Sequence, residues 1–359
     1  MSTRRVLYLA GSSGLGGVET FLAGTASGHA RSRFEPVYFL LHDGPLAGEL
    51  RKRGAKVVLA RTSFRLRKPL SFVACVRELS QLAQEQEVDL IHSSMAYAAL
   101  LGAPAALLAG CRHVWFQHGP VGGWMDWLAA QFPSEKILYN SRFTQGKQLH
   151  LHSLRRGSVR RKGAVLHLGT TIPSFSGKVA TGPLRVVMLC RAQAWKGPQL
   201  FVEAMRRLGE NPGIEARIYL APADGSLEAE LRKQVAGLAH IRIEPPVQDA
   251  GAALDAADCV VNASITPEPF GLTLIEAMAR GLVPIAPRAG GPLEIIEEGR
   301  TGLFFAQGSS GELAEKIRSL SIDPKKFMDL SKAAHASARE KFSLERMMAD
   351  LENLYDEIL

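Results

Sequence analysis

The stretch Ser264-Ile265-Thr266-Pro267-Glu268-Pro269-Phe270-Gly271-Leu272-Thr273-Leu274-Ile275-Glu276-Ala277-Met278-Ala279 decides how this chain is read. It follows the apolar run Cys259–Asn262, which reads as a strand, and its second half has the spacing of a helix. A strand that turns through a loop into a helix is the unit of a parallel sheet, whose ligands bind beyond the carboxyl ends of the strands. Two carboxylates stand eight positions apart, Glu268 in the loop and Glu276 on the helix. A residue before proline avoids helical backbone, so Pro267 and Pro269 hold Glu268 extended. Gly271, Leu272 and Thr273 then offer the unpaired amides of a helix start, which favour an anion. A nucleotide diphosphate suits those amides, with Glu276 on ribose hydroxyls and Glu268 facing a sugar. A solvated pair of surface glutamates is the plainer alternative, and the flanking prolines and Phe270 speak against it.

The same alternation extends in both directions. Strand-like runs continue at Leu184–Cys190, Ile214–Leu220, Ile241–Ile243, Val283–Ala286 and Leu303–Phe305, with helices at Pro198–Leu208 and Leu227–Ala236. Before them lie Val6–Ala10, Val37–Leu41, Val57–Leu59, Leu90–His92, His113–Gln117, Lys136–Tyr139 and Ala164–His167. Helical stretches at Thr20–Ala30, Ser71–Gln86 and Ala96–Leu108 separate them. Gly, Thr, Ser and Pro between Gly169 and Pro183 read as a linker. The expectation is an α/β protein with a first domain over 1–168, a linker over 169–183, a second domain over 184–342, and an amphipathic helix over 343–359. Two facing sheets place the main site in the cleft between them.

Composition agrees and excludes other classes. A chain of 359 residues suits two domains, and 46% hydrophobic with 22% charged residues is globular. The apolar run behind Arg4 and Arg5 ends at Ala10, too short for a signal-peptide core, and no run approaches the ~20 residues of a membrane helix. Cys75, Cys111, Cys190 and Cys259 form no C-x-x-C pair, so neither a disulfide framework nor a zinc site is indicated. A cytoplasmic location is expected. The net charge of +8 is uneven: residues 1–168 hold 22 Lys/Arg against 10 Asp/Glu, the remainder 21 against 25.

Two further stretches carry chemistry. Gly11-Ser12-Ser13-Gly14-Leu15-Gly16-Gly17-Val18-Glu19 follows a strand and opens a helix, which suits phosphate, although a tight turn without ligand has the same glycines. No Gly-Lys-Ser/Thr is present, so it is not a P-loop. Arg191 and Lys196, in Cys190-Arg191-Ala192-Gln193-Ala194-Trp195-Lys196-Gly197, also sit between a strand end and a helix start. Both suit phosphate oxygens. With no Asp-x-Asp and no ligand cluster at metal spacing, no metal and no cofactor is expected, and these cations with the helix amides would neutralise a leaving diphosphate.

With these residues in place, the chain resembles the family 4 glycosyltransferases of the GT-B fold. The E-x₇-E element Glu268 to Glu276 carries the resemblance. Gly16-Gly17-Val18-Glu19 resembles the family's N-terminal turn, Gln117-His118-Gly119 its catalytic-loop histidine, Asn140-Ser141 its Asn-Ser strand end, and Arg191 with Lys196-Gly197 its phosphate pair. Gly290-Gly291 and Gly299-Arg300-Thr301-Gly302 resemble its late glycine turns. The resemblance implies two Rossmann-like domains, the last helix crossing back onto the first. It also implies a retaining, metal-independent transfer of a hexose-type sugar from a nucleotide-diphosphate donor such as UDP or GDP to a hydroxyl acceptor. Glu268 and His118 are then the catalytic pair. Gly16, Gly17, Arg191, Lys196, Gly271, Leu272 and Thr273 hold the diphosphate, and Glu276 the ribose. His167-Leu168-Gly169-Thr170 and Glu244-Pro245-Pro246-Val247 depart from the family pattern at the domain junction and the base-contacting loop.

The acceptor side is less defined. Trp124 and Trp127, three apart after His118, form an aromatic wall or pack into the core, and Asn140 is grouped with them. The basic residues Arg51-Lys52-Arg53, Lys56, Arg61, Arg65, Arg67 and Lys68, with Arg155-Arg156 and Arg160-Arg161-Lys162, form a solvated face or make peripheral contact with an anionic membrane. No nucleic-acid motif accompanies them. A nucleotide-sugar epimerase on the same fold and a non-catalytic nucleotide- or glycan-binding module are the competing readings.

Overall fold

The computed structural model describes residues 4–11, 16–29, 32–64, 68–152, 156–175, 177, 182–209, 211, 213–222, 225–247 and 250–359. Ser12 to Leu15 of the first glycine turn, and Arg65, Arg67 and Arg155 of the basic runs, lie outside them. The chain forms two compact units, one of residues 1–169 with 344–359, the other of residues 170–343.

In the first unit, β1 (Arg4–Ala10), β2 (Phe34–Leu40), β3 (Lys56–Leu59), β4 (Leu90–Ser94), β5 (Arg112–Gln117), β6 (Lys136–Tyr139) and β7 (Gly163–Val165) form a parallel sheet of order β3-β2-β1-β4-β5-β6-β7. Val6 to Ala10 are fully buried, the signature of a strand covered on both faces. The helices are α1 (Gly17–Gly28), α2 (Pro45–Lys52), α3 (Pro69–Glu85), α4 (Met95–Ala109), α5 (Trp124–Ala129), α6 (Arg142–Leu151) and α7 (Arg156–Lys162). The chain order reverses between β1 and β4, which opens a crevice at their carboxyl ends.

In the second unit, β8 (Leu184–Arg191), β9 (Ile214–Ala221), β10 (Ile241–Glu244), β11 (Cys259–Val261), β12 (Val283–Pro287) and β13 (Leu303–Phe305) form a parallel sheet of order β10-β9-β8-β11-β12-β13. Its helices are α8 (Pro198–Leu208), α9 (Gly225–Val235), α10 (Ala250–Asp255), α11 (Leu272–Met278), α12 (Ser310–Ser321) and α13 (Pro324–Lys341). Here β8 and β11 are the adjacent pair at the reversal. Their opposite ends are tied by Asp258, whose 1% exposed carboxylate accepts the Arg185 backbone N–H at 2.9 Å and its guanidinium at 2.9 and 2.6 Å.

The segment that reads as a linker is structured in its first part. Thr170 bridges to Ser343 and donates to the Phe342 carbonyl at 2.9 Å, and the Pro173 carbonyl pairs with His335 Nε2 at 3.0 Å. Residues 170–175 therefore belong to the second unit.

The last helix, α14 (Leu344–Asp356), belongs to the first unit. Its Tyr355 hydroxyl donates to Tyr8 Oη at 3.0 Å, and Tyr8 Oη lies 2.8 Å from His29 Nε2. Tyr355 Oη also lies 2.6 Å from His92 Nδ1. No helix among the described residues is long and apolar enough to cross a membrane.

Candidate functional site

In the second unit the site grows from the sheet reversal. Because β8 and β11 are neighbours, the turn after one meets the loop after the other although 72 positions separate Lys196 from Glu268. A single 3₁₀ turn, Ala194–Lys196, follows β8 and ends at Gly197, whose φ of +71° favours glycine. A side chain there would also meet the Ala263 carbonyl at 1.9 Å. The Ile265 N–H donates to the Trp195 carbonyl at 2.8 Å and stitches turn to loop.

On this base Lys196 Nζ donates to Glu268 Oε1 at 2.7 Å and Oε2 at 2.8 Å. Ser264 Oγ donates to Oε2 at 2.9 Å, and Asn262 Nδ2 lies 3.5 Å from it. The lysine ammonium also stands 4.1 Å from the centre of the Trp195 ring, a cation–π contact. Both side chains of the ion pair are half-buried, so their attraction is screened less than that of a surface pair. The cation expected on phosphate and the carboxylate expected on sugar thus hold each other.

Behind Glu268 the backbone packs directly on backbone. Gly291 N–H donates to the Glu268 carbonyl at 2.8 Å. A Cβ on Gly290 (φ +71°) would lie 2.5 Å from that carbonyl oxygen, and one on Gly291 would lie 2.4 Å from Phe270 Cα. Phe270 itself is buried, edge-on to Phe342 at 6.1 Å. Gly271, at φ +119°, turns the chain into α11, so the first-turn amides of Leu272 and Thr273 have no helical acceptor. Glu276 is half-buried on that helix, and Arg191 is exposed at the end of β8. Cys190 lies close by, but burial pushes its thiol up to about 12, so it stays protonated.

In the first unit, His118 follows β5. Its ring is 8% exposed and lies 3.9 Å from the Phe116 ring centre and 5.0 Å from that of Phe21. Burial lowers it to about 3, so the imidazole is neutral. Neither ring nitrogen has a hydrogen-bond partner among the described residues. A buried polar group left unpaired costs ~1–3 kcal/mol, so such a ring is a candidate for a ligand hydroxyl. The loop after it is held by Asp126, whose Oδ2 accepts the Gly122 and Gly123 N–H groups at 3.0 and 2.9 Å, while Oδ1 accepts Gln117 Nε2 at 3.1 Å.

Asn140 does not face an acceptor. It is 1% exposed, its Nδ2 donates to the His118 carbonyl at 2.6 Å, and its Oδ1 accepts Thr144 Oγ1 at 2.8 Å. Its amide is spent on holding the histidine loop. Trp124 and Trp127 are 63% and 49% exposed, so core packing is not their role. Gly16 and Gly17 open α1, and a Cβ on Gly17 would meet nothing within 4 Å. The basic run is partly neutralised, with Arg51 near Asp43 at 3.7 Å and Arg53 on Glu49 at 2.8 Å.

Sequence reasoning missed three things. Ser264 and Asn262 had no periodic signal, since only the loop's path brings them to Glu268. Met95 has a left-handed φ of +73°, rare outside glycine, at the end of β4. Its Cε lies 2.9 Å from where a Gly119 Cβ would sit, beside His118.

Comparison with known proteins bears on the family and the fold. The family model described as Glycosyltransferase Family 4 matches residues 15–161, and that described as Glycosyl transferases group 1 matches residues 173–337. The D-inositol 3-phosphate glycosyltransferase of Pseudarthrobacter chlorophenolicus is 34% identical over 185 residues, 48% of this chain and 44% of that protein. The N-acetyl-alpha-D-glucosaminyl L-malate synthase of Bacillus anthracis is 34% identical over 92 residues, 26% of this chain and 24% of that one. The chain thus spans less than half of the length of these relatives. The crystal structure of Anabaena HepE in complex with UDP and glucose superposes with a TM-score of 0.85 at 23% identity, covering 99% of this chain and 100% of that one. TarM superposes with a TM-score of 0.80 at 10% identity over 98% of each chain.

Proposed function

Since the chain belongs to the family 4 glycosyltransferases, with two Rossmann-like units of the GT-B kind, we propose that it transfers a hexose-type sugar from a nucleotide-diphosphate donor to a hydroxyl acceptor, retaining the anomeric configuration and using no metal ion. One observation carries the reading: Glu268 is fixed at the reversal of the second sheet, against a lysine, on the loop that leads into the helix of Glu276.

In this reading Arg191, Lys196 and the amides of Gly271, Leu272 and Thr273 take the diphosphate, and Glu276 takes the ribose hydroxyls. Gly16 and Gly17 allow close approach of the donor to the first unit's backbone. Fixed cations and main-chain dipoles neutralise the charge that grows on the leaving diphosphate. Glu268 holds sugar hydroxyls or supports positive charge at the anomeric carbon. His118, neutral and with both ring nitrogens uncommitted among the described residues, offers one donor and one acceptor to sugar hydroxyls. Retention follows a same-face route in which the departing phosphate helps to deprotonate the acceptor, because Glu268 is the one carboxylate assigned to the sugar and a double-displacement route needs two set across the bond. Trp124 and Trp127 receive the acceptor.

The test is Glu268→Ala. Transfer from a UDP- or GDP-sugar should vanish while nucleotide binding, followed by calorimetry, survives. Unchanged turnover would overturn the assignment. Activity that persists in EDTA supports the metal-free route, and donor turnover without any acceptor would favour the epimerase instead. UDP, which the HepE crystal contains, is the first nucleotide to try. A cytoplasmic enzyme that touches anionic lipid through its basic first unit completes the proposal, and salt-sensitive flotation with anionic vesicles checks it.

A further inference from the structure

Lys196 carries two assignments that compete for its three N–H groups. As a phosphate cation it must point its N–H groups at the donor, yet it spends two on the oxygens of Glu268, at 2.7 and 2.8 Å. Glu268 is equally committed. Its Oε2 accepts from Lys196 and Ser264 and lies 3.5 Å from Asn262 Nδ2, leaving few lone pairs for sugar hydroxyls.

Only some of these bonds can yield cheaply. Ser264 is 1% exposed, and its backbone N–H is fixed on Asn262 Oδ1 at 2.9 Å. Lys196 is a flexible, four-carbon point charge, steadied by the face of Trp195. When a polyanion arrives, the lysine is the partner that moves.

Resting on the reading above, we propose that Lys196 and Glu268 form an exchangeable ion pair. The donor's diphosphate takes the ammonium, and the carboxylate so released accepts sugar hydroxyls while Ser264 keeps it aimed. Ser264 is then a positioning residue. In the empty protein Glu268 occupies the cation that the diphosphate needs, so a nucleotide must displace it, and a donor whose sugar rebinds the freed carboxylate recovers that cost.

The experiment is calorimetric titration of UDP and GDP into wild type, E268Q, E268D and S264A. E268D keeps the negative charge but ends one methylene short of Lys196. Exchange predicts that both Glu268 variants bind the preferred nucleotide more tightly, by about tenfold, ~1.4 kcal/mol. S264A should leave nucleotide affinity unchanged and lower kcat for the sugar donor by ~10-fold, with KM for the acceptor untouched. If E268Q alone binds more tightly, through-space repulsion explains the gain and exchange is overturned. If neither variant binds more tightly while wild type does bind, exchange is overturned and the nucleotide reading stands. If neither nucleotide binds any of the four proteins, the nucleotide reading falls, and exchange with it.

Discussion

The Asn140 side chain donates to the backbone carbonyl of His118 at 2.6 Å, so the residue after β6 fixes the height of the loop after β5. The strands are neighbours, and the amide bridges their carboxyl ends from within the core. Asn140→Ala orphans a buried carbonyl and takes one acceptor from the Thr144 hydroxyl, which keeps Ser141 Oγ at 2.9 Å. The expected loss is ~1–3 kcal/mol of stability in denaturant unfolding. Turnover should fall more than donor KM rises, because the histidine moves rather than disappears. Wild-type kcat in this variant would show that the loop holds itself.

Four of the first unit's buried imidazoles make it acid-sensitive. Burial lowers His29 to about 4, His113 and His118 to about 3, and His92 well below the ordinary imidazole range. In the unfolded chain each takes up a proton near pH ~6.5, so the unfolded state binds more protons at every pH between the two values. Their contribution is complete above pH ~6.5 and is lost as pH falls toward the folded values, on the order of 1 kcal/mol per pH unit per imidazole. The thermal midpoint of the first unit should therefore drop steadily from about pH 7 to about pH 5. A flat profile would contradict the burial of these rings. The same shift keeps His118 neutral throughout, so it contributes no limb to the rate profile between about pH 5 and pH 8.

Glycines at the site differ from glycines in open turns. Gly197→Ala and Gly291→Ala press a methyl against backbone at 1.9 and 2.4 Å, whereas Gly299, at φ +72°, has nothing within 4 Å of an added Cβ. Gly299→Ala should cost only the ~1 kcal/mol of its backbone conformation. The other two should lose more than ~3 kcal/mol or shift the Glu268 loop, seen as lost nucleotide binding. Equal costs for all three would remove the close-packing argument.

Asp258 is the counterpart of the site at the other end of the β8–β11 pair. Its carboxylate accepts three N–H groups of Arg185. Asp258→Ala strips all of them, but the Arg185 side chain is 47% exposed and water takes up its charge, so the expected loss in denaturant unfolding is ~1–3 kcal/mol, with no change in the affinity of whatever nucleotide binds. A loss below ~1 kcal/mol would mean that water replaces the carboxylate without penalty.

Trp124→Ala and Trp127→Ala should leave stability within about ±0.5 kcal/mol, since both rings are exposed. Acceptor KM should rise several-fold while donor KM stays, which steady-state kinetics with both substrates varied would show. Unaltered acceptor KM in the double variant would take these rings out of the acceptor site.

Much of this was legible in the residues. Each of the strand-like runs appears in the sheets, because a parallel strand buried on both faces reads as an apolar run, as in Val6–Ala10 and Val283–Pro287. The Glu268 stretch was legible because proline and glycine fix backbone directly. The pairing of Lys196 with Glu268 was not, since it depends on which strands lie side by side. Asn140 was legible as a special position but not as a buried one: an asparagine at a strand end reads alike whether its amide meets a ligand or a carbonyl. Met95 gave no sign at all, because a strained φ leaves no trace in residue type.

The closing helix, through Tyr355, completes a hydrogen-bonded chain that begins at Tyr8 on the first strand. During synthesis the ribosome delivers the entire second unit between those two tyrosines. The lobe translated earliest thus waits, with its His29 and His92 cluster open, until its later-made neighbour has already emerged, and a stalled or clipped chain would leave the older half unfinished rather than the younger.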